Sequence, residues 1–356
     1  MTGWLDRPGE FVAIALAGLA VTLLVALLGL VLWRVVDELR FLRRQRLIAR
    51  YRPQIDALLT STSAPDAVER LVRAPRRHHR ILADLILAAL RLTTGAIVDR
   101  LREAAGTLGL VVRWKKSLHD HRWWVRAGAA RALGLAREPS SLDGLLGALD
   151  DAHEEVRAAA VDALGRLGAV RSGPALLAQL PNETRHQRVR LVEAIRSIGP
   201  PVVPLLLAHA RQQPSDAAML ADILGVVGAS DAVATLLEWS GDTHPAVRAA
   251  ALRALGSIGV DDRTFFYALR GLEDPDPDVR SMAARALGRS GRQEGVPYLA
   301  PHLDDEWIVA AHTATGLRRL GTPGTAALEM RAGSEGRGAD LARQMLWELT
   351  FLKIGA

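Results

Sequence analysis

The chain has no cysteine in 356 residues. That absence excludes disulfides, thiolate metal sites and cysteine nucleophiles together. Lysine occurs only at 115, 116 and 353, so nearly all positive charge is arginine. The net charge of +6 is modest, and the segment after residue 33 supplies much of it. Phosphate-binding glycine loops, dinucleotide-binding glycine patterns and nucleophile elbows do not occur. The glycine-rich GRSGRQEG, residues 288 to 295, falls at a turn between two helices. Neither His78-His79 nor His119 with His121 has an acid at metal-helix spacing, and His153-Glu154 is the one His-Glu pair. The sequence therefore predicts no catalytic residue, no metal site and no cofactor.

One stretch lacks charge altogether: FVAIALAGLAVTLLVALLGLVLW, residues 11 to 33. At 1.5 Å per residue it spans ~34 Å, enough for a bilayer core of ~30 Å. A secretory signal fits less well, because the run is long, Asp6 and Glu10 precede it, and no small-residue cleavage site follows. Arg34, Arg40, Arg43, Arg44, Arg46 and Arg50 follow the run, whereas Arg7 alone precedes it. Positive charge stays inside, so we expect a single-pass protein of the inner or plasma membrane, with its amino end outside and the rest cytoplasmic. Gly18, Thr22 and Ala26 lie four apart and are expected on one face, where small residues let membrane helices pack closely.

What fills the rest is repetition. DHRWWVRAGAARALG (120 to 134), DAHEEVRAAAVDALGRLG (151 to 168), DTHPAVRAAALRALGSIG (242 to 259) and DPDPDVRSMAARALGRSG (274 to 291) are one phrase. Set in register on the valine as position zero, copies begin at Val125, Val156, Gln187, Asp216, Val247, Val279 and Val309. Their spacings are 31, 31, 29, 31, 32 and 30 residues, with a weaker eighth copy at Ile97 to Gly109. A fixed phrase at a fixed period marks a repeat architecture. Apolar residues at positions 0, 4, 7, 8 and 11, such as Val156, Ala160, Ala163, Leu164 and Leu167, make one helical stripe. The spacing predicts a helix of about 16 residues, started by an Asp cap and ended by glycine at position twelve. Shorter apolar segments between phrases, such as SLDGLLGAL (141 to 149), supply a second helix. Such pairs bury a core only by stacking.

The pattern Asp-x4-Val-Arg-x2-Ala-x2-Ala-Leu-Gly-x-Leu-Gly resembles the HEAT repeat family, in the short form also seen in phycobilisome lyases. The resemblance covers roughly residues 97 to 330. It implies an all-α solenoid of about seven or eight helical hairpins, here preceded by one transmembrane helix. The expected organisation is a tail at 1–10, a span at 11–33, a basic helix or linker at 34–75, the solenoid at 76–332 and a capping helix at 333–356. It also implies a structural ladder in which Arg126, Arg157, Arg188, Arg248 and Arg280 pair with turn acids. The acids of that slot are Asp120, Asp151, Asp242, Asp274 and Asp304, with Asn182 in the third copy. Ala217 and Ala310 replace the arginine, and Arg211 replaces an acid, so the ladder should break at the fourth copy.

Some relatives of this fold are enzymes or bind DNA. The iron-binding hydroxylases need several His-Glu pairs, and this chain has one. Arg122, Arg126, Arg131 and Arg137 sit among alternating acids, so nucleic acid is a poor fit. Binding of a protein is the better expectation. Trp114, Trp123 and Trp124 cluster at the first clear copy, and Trp307 takes the Trp123 slot in the seventh. Two adjacent rings cannot both face one core, and tryptophan is favoured at interfaces. The sequence thus predicts a non-enzymatic, membrane-anchored scaffold that holds a membrane-associated protein partner at the cytoplasmic face. An accessory role to a membrane enzyme such as a glycosyltransferase fits that description. The alternatives are a lyase or hydroxylase of this fold, or a lipid or nucleic-acid binder.

Overall fold

A computed structural model describes residues 8–60, 64–180 and 184–354. Every regular element among them is helical. The chain divides into two compact units, residues 1–116 and 117–356.

The first unit starts with α1 (Pro8–Thr60), followed by α2 (Ala64–Val72), α3 (His79–Leu92), α4 (Ala96–Thr107) and α5 (Leu110–Ser117). Helix α1 is 53 residues long and continues unbroken past the uncharged run. Its two ends live in different surroundings. Leu16, Leu24 and Leu32 are 60%, 56% and 65% exposed, whereas Tyr51, Ile55 and Leu58 are buried against the other helices of the unit. The far end is locked by polar contacts: Tyr51 Oη lies 2.8 Å from His78 Nδ1, and Arg100 Nε donates to the Leu58 carbonyl at 2.9 Å. That arginine satisfies an acceptor which the helix end leaves without an intrahelical partner.

The second unit is the solenoid the phrase predicts. The phrase helices are α6 (Trp123–Leu135), α8 (Glu154–Leu167), α10 (Arg185–Ile198), α12 (Ala217–Val227), α14 (Pro245–Ile258), α16 (Pro277–Arg289) and α18 (Trp307–Arg319). Each packs on the next, forming one layer. Between them run the shorter α7 (Leu142–Gly147), α9 (Gly173–Gln179), α11 (Val203–Gln212), α13 (Val233–Trp239), α15 (Asp262–Gly271) and α17 (Val296–Leu299). Helices α19 (Thr322–Ala332) and α20 (Arg337–Ile354) close the end against α18. The core between layers is leucine and alanine, including Leu133, Leu164, Leu224, Leu255 and Leu287.

The phrase helices are shorter than expected, 11 to 14 residues. The reason is a correction to the capping scheme. The phrase aspartates stay in the extended linker and accept the backbone N–H two residues on: Asp151 from His153 at 2.9 Å, Asp274 from Asp276 at 3.0 Å. The caps themselves are His153, His244 and Asp276. At the other end, glycine at position twelve takes the left-handed conformation, with φ of 66° at Gly168. In the first copy that place belongs to Arg137, the one non-glycine with positive φ among the described residues, at 47°.

A second glycine sets the spacing between repeats. Position nine is Gly134, Gly165, Gly225, Gly256 and Gly288 in five copies, each against position seven of the following phrase helix. A Cβ on Gly134 would lie 2.5 Å from the Ala163 Cα, and one on Gly225 would lie 2.7 Å from the Ala254 Cα. Small residues on both sides therefore bring successive helices into backbone contact. The third copy has Arg196 there, and α10 packs less extensively on α12 than the other phrase helices pack on their neighbours.

Candidate protein-interaction site

The ladder is built from one arginine used three ways. Arg126 sits on the first turn of α6 and reaches forward to Asp151 of the next repeat, with Nε–Oδ2 and Nη2–Oδ1 both at 2.7 Å. Its Nη1 turns back to the Asp120 carbonyl at 2.9 Å. Arg248 does the same with Asp274 (2.8 and 2.7 Å) and the Asp242 carbonyl (2.9 Å). Arg280 does it with Asp305 (2.9 and 2.7 Å) and the Asp274 carbonyl (2.9 Å). Planar two-point contact of this kind suits guanidinium and carboxylate. The side chains of these pairs are 12–17% exposed. The hydrogen bond from Arg280 holds the Asp305 carboxyl well below the usual range, against burial, and Arg126 does the same for Asp151. At Asp274, burial pushes upward, but the Arg248 hydrogen bond and other contacts outweigh it and the carboxyl is lowered.

Other predicted members fall elsewhere. Arg157 donates to the Asp151 carbonyl at 3.1 Å, and Asn182, its forward slot, lies outside the described residues. Arg188 is exposed, facing the copy with Arg211 in the acid slot. Asp242 accepts from the His244 N–H at 2.8 Å as the paired aspartates do from theirs, but no ladder arginine reaches it, because the preceding copy has Ala217 in that place. Asp120 heads the series; its neighbour Arg122 bonds it at 3.0 Å and lowers its carboxyl to about 2. Asp304 is not the ladder acid of the seventh copy. That role passes to Asp305, and Asp304 instead accepts from Arg331 Nε at 2.8 Å. The ladder acid is the residue that closes the 3-10 turn, Asp151 or Asp305, and one residue fewer separates that point from the helix in the seventh copy.

The tryptophans separate into two kinds. Trp114 is 7% exposed beside Leu110 and Val111 on the buried side of α5, so its ring offers no contact area. Trp123, Trp124 and Trp307 are 38%, 56% and 70% exposed. Trp123 and Trp307 each open their helix, as the shared slot predicts. Trp123 and Trp124 meet edge to face at 5.9 Å and 88°. Trp123 is also stacked on His153, 4.0 Å between centroids and 6° between planes. His153 thus supports a ring of the preceding repeat, while its Nδ1 accepts from the Glu155 N–H at 3.2 Å. The stack fixes Trp123 and leaves Trp124 projecting, a rigid amphipathic edge of the sort that anchors interfaces. On α1, Gly18, Thr22 and Ala26 are exposed, and Thr22 Oγ1 donates to the Leu19 carbonyl at 2.8 Å. Among the described residues, no three His, Asp or Glu side chains converge as metal ligands would.

Stacked helical hairpins tied by an arginine ladder define an α-solenoid repeat protein. The HEAT-repeat family model matches residues 111–196, 199–270 and 267–346, more than half of the chain. The protein belongs to the HEAT-repeat family. Among solved structures, the complex of CpcE and CpcF of phycocyanin lyase from Nostoc sp. PCC7120 is similar at 19% identity and a TM-score of 0.32, over 66% of this chain and 93% of that one. Kap95p bound to RanGDP is similar at 11% identity and a TM-score of 0.48, over 74% of this chain and 46% of that one. Human deoxyhypusine hydroxylase is similar at 16% identity and a TM-score of 0.28, over 81% and 97%. Curated proteins give no match.

Proposed function

We propose that this protein is a non-enzymatic, membrane-anchored HEAT-repeat scaffold. In this reading its repeats lie at the cytoplasmic membrane face and hold a partner with membrane spans of its own, such as a glycosyltransferase. The observation that carries it is the divided character of α1. Leu16 to Leu32 is apolar and bare on all sides, a state that costs about 25 cal/mol per Å2 in water and nothing in a bilayer. The same helix is packed into a folded unit from Tyr51 onward. Between these two parts, Arg40, Arg43, Arg44 and Arg80 line one open cavity with Leu47, Ile81 and Asp84. Arg40 to Arg44 begin roughly 10 Å beyond Trp33 along the helix, the depth of lipid headgroups. In this reading Trp123, Trp124 and Trp307 contact the partner, and Gly18, Thr22 and Ala26 pack against one of its spans.

The test is recovery of the intact protein from its native membrane in mild detergent, with co-purifying proteins identified by mass spectrometry. Wild type should bring down a multi-span protein. Trp123→Ala with Trp124→Ala should lose it while melting as wild type does. Retention of the same partner at full yield by the double variant would move the interface away from this edge, and recovery of no membrane protein would overturn the scaffold reading.

A further inference from the structure

The solvent-facing row at position six of the phrase helices runs Arg131, Asp162, Glu193, Asp222, Arg253, Arg285, Thr315. Its charges are matched almost throughout. Arg131 pairs with Glu155 at 3.0 Å, Asp162 with Arg190 at 3.1 Å, Glu193 with Arg196 at 2.8 Å, and Asp222 with Arg253 at 2.9 Å. Arg285 breaks the series. It is half-buried on α16, and among the described residues it has no hydrogen bond or ion pair. The next helix offers it Thr315 in place of an acid.

Its charged surroundings are cations. Arg253 stands on α14, Arg289 one turn further along α16, and Arg319 on α18. Burial lowers the Arg285 pKa, and these three guanidinium groups lower it further. His312, half-buried on α18, is lowered by burial and by Arg285, which favours its neutral form and adds no counter-charge. Arg289 and Arg319 are exposed and also have no acid partner among the described residues. A partly desolvated guanidinium beside like charges is costly unless something outside the fold compensates it. Such unmet charges collect at binding sites.

The layout indicates the ligand. In the position-six row the unmatched cation is Arg285 on α16, and Arg289 and Arg319 flank it on α16 and α18, one helix step of about 8–10 Å. A peptide in the polyproline-II conformation has three residues per turn and rises about 3.1 Å per residue, so carboxylates three residues apart share a face about 9 Å apart and would meet successive helices. A long polyanion continuing along the row would run onto Asp222, Glu193 and Asp162. We propose that Arg285, Arg289 and Arg319 form a binding site for a short carboxylate-rich segment of a partner protein, laid across α16 and α18. The proposal rests on the scaffold reading only in taking a protein as the ligand's source. It depends neither on the tryptophan edge nor on the membrane.

The test uses the full chain in detergent and a fluorescent peptide of about 12 residues with glutamate at every third position. The controls are the same peptide with glutamine, and single-stranded DNA of similar length. Wild type should bind the glutamate peptide and not the glutamine one. Arg285→Gln should weaken binding about tenfold or more, since it removes a two-point charged contact. It should melt no lower than wild type, because it relieves repulsion among cations. Arg289→Gln with Arg319→Gln, at exposed positions, should also weaken binding, which keeps the test decisive if Arg285→Gln folds poorly. Arg131→Gln and the Trp123→Ala, Trp124→Ala variant should bind as wild type does, so failure of the tryptophan site is read separately. Equal affinity of both arginine variants and wild type would overturn the proposal. So would equal binding of the glutamine peptide, or tighter binding of the DNA at the same arginines.

Discussion

A guanidinium that leaves water must find its hydrogen bonds elsewhere, and Arg126, Arg248 and Arg280 find theirs in two turns at once. Removing one strands a half-buried carboxylate in the next repeat and frees carbonyls in its own. Arg280→Ala should therefore cost about 2–3 kcal/mol, read as a lower denaturation midpoint. The acid end of the ladder adds a pH dependence. Asp305 and Asp151 are held below the pKa they have in the unfolded chain. The stability they contribute is present above the unfolded value near 4 and is lost as pH falls toward the folded values. Melting temperature should drop with pH below about 4, and the drop should be shallower in Arg280→Ala, which no longer depresses Asp305. A variant with unchanged midpoint and unchanged acid slope would place Arg280 outside the ladder. At this scale the arginines were legible, because position one repeats. The Asp304 assignment was not, because counting back from the valine cannot see where a 3-10 turn ends. Trp114 misled for a related reason: its neighbours in sequence, Trp123 and Trp124, are exposed at a helix start, whereas it faces inward on α5.

Helices show the same mixture. The uncharged run announced a long apolar helix, and one is there. That the helix continues to Thr60 and buries Tyr51, Ile55 and Leu58 was hidden, because arginines on its exposed face dominate that stretch of sequence. The close contact of position nine with position seven was present in the recurring Ala-Leu-Gly, but only the stacking reveals which residue each glycine faces. The proposed topology belongs to this scale. An alkaline phosphatase fused to the carboxyl end should be inactive in cells, since six arginines follow the run and one precedes it. High phosphatase activity would put the solenoid outside and overturn the orientation.

Across the second unit, two independent ties lapse at the same step. Between α10 and α12 the ladder has Arg211 in its acid slot, opposite Arg188, and the glycine contact is replaced by Arg196, which turns to Glu193 of its own helix. In a stacked architecture stability is close to a sum of nearest-neighbour terms, so this step should open first. Hydrogen exchange of the intact protein should be faster in α10 to α12 than in α14 to α16. Equal protection of the two stretches would mean that apolar packing alone carries the stack. The broken ladder was foreseen from Arg211 and Ala217; the lost glycine was not, since a lone arginine at one position of one copy carries no signal until its neighbour is known.

In the copies where a 3-10 turn precedes the ladder acid, its end is where that acid is presented, whether three residues before the helix, as Asp151 is, or two, as Asp305 is. The lock is indexed to the turn and not to the helix, so a residue gained or lost between them leaves it engaged. That makes copy length a neutral trait and copy number an editable one. A whole copy duplicated or excised at α14 or α16 would meet neighbours carrying the same lock, whereas the junction at α10 and α12 has none to pass on. Growth and shrinkage of this protein by recombination should therefore be recorded where neighbouring copies carry both halves of the lock, at α14 and α16.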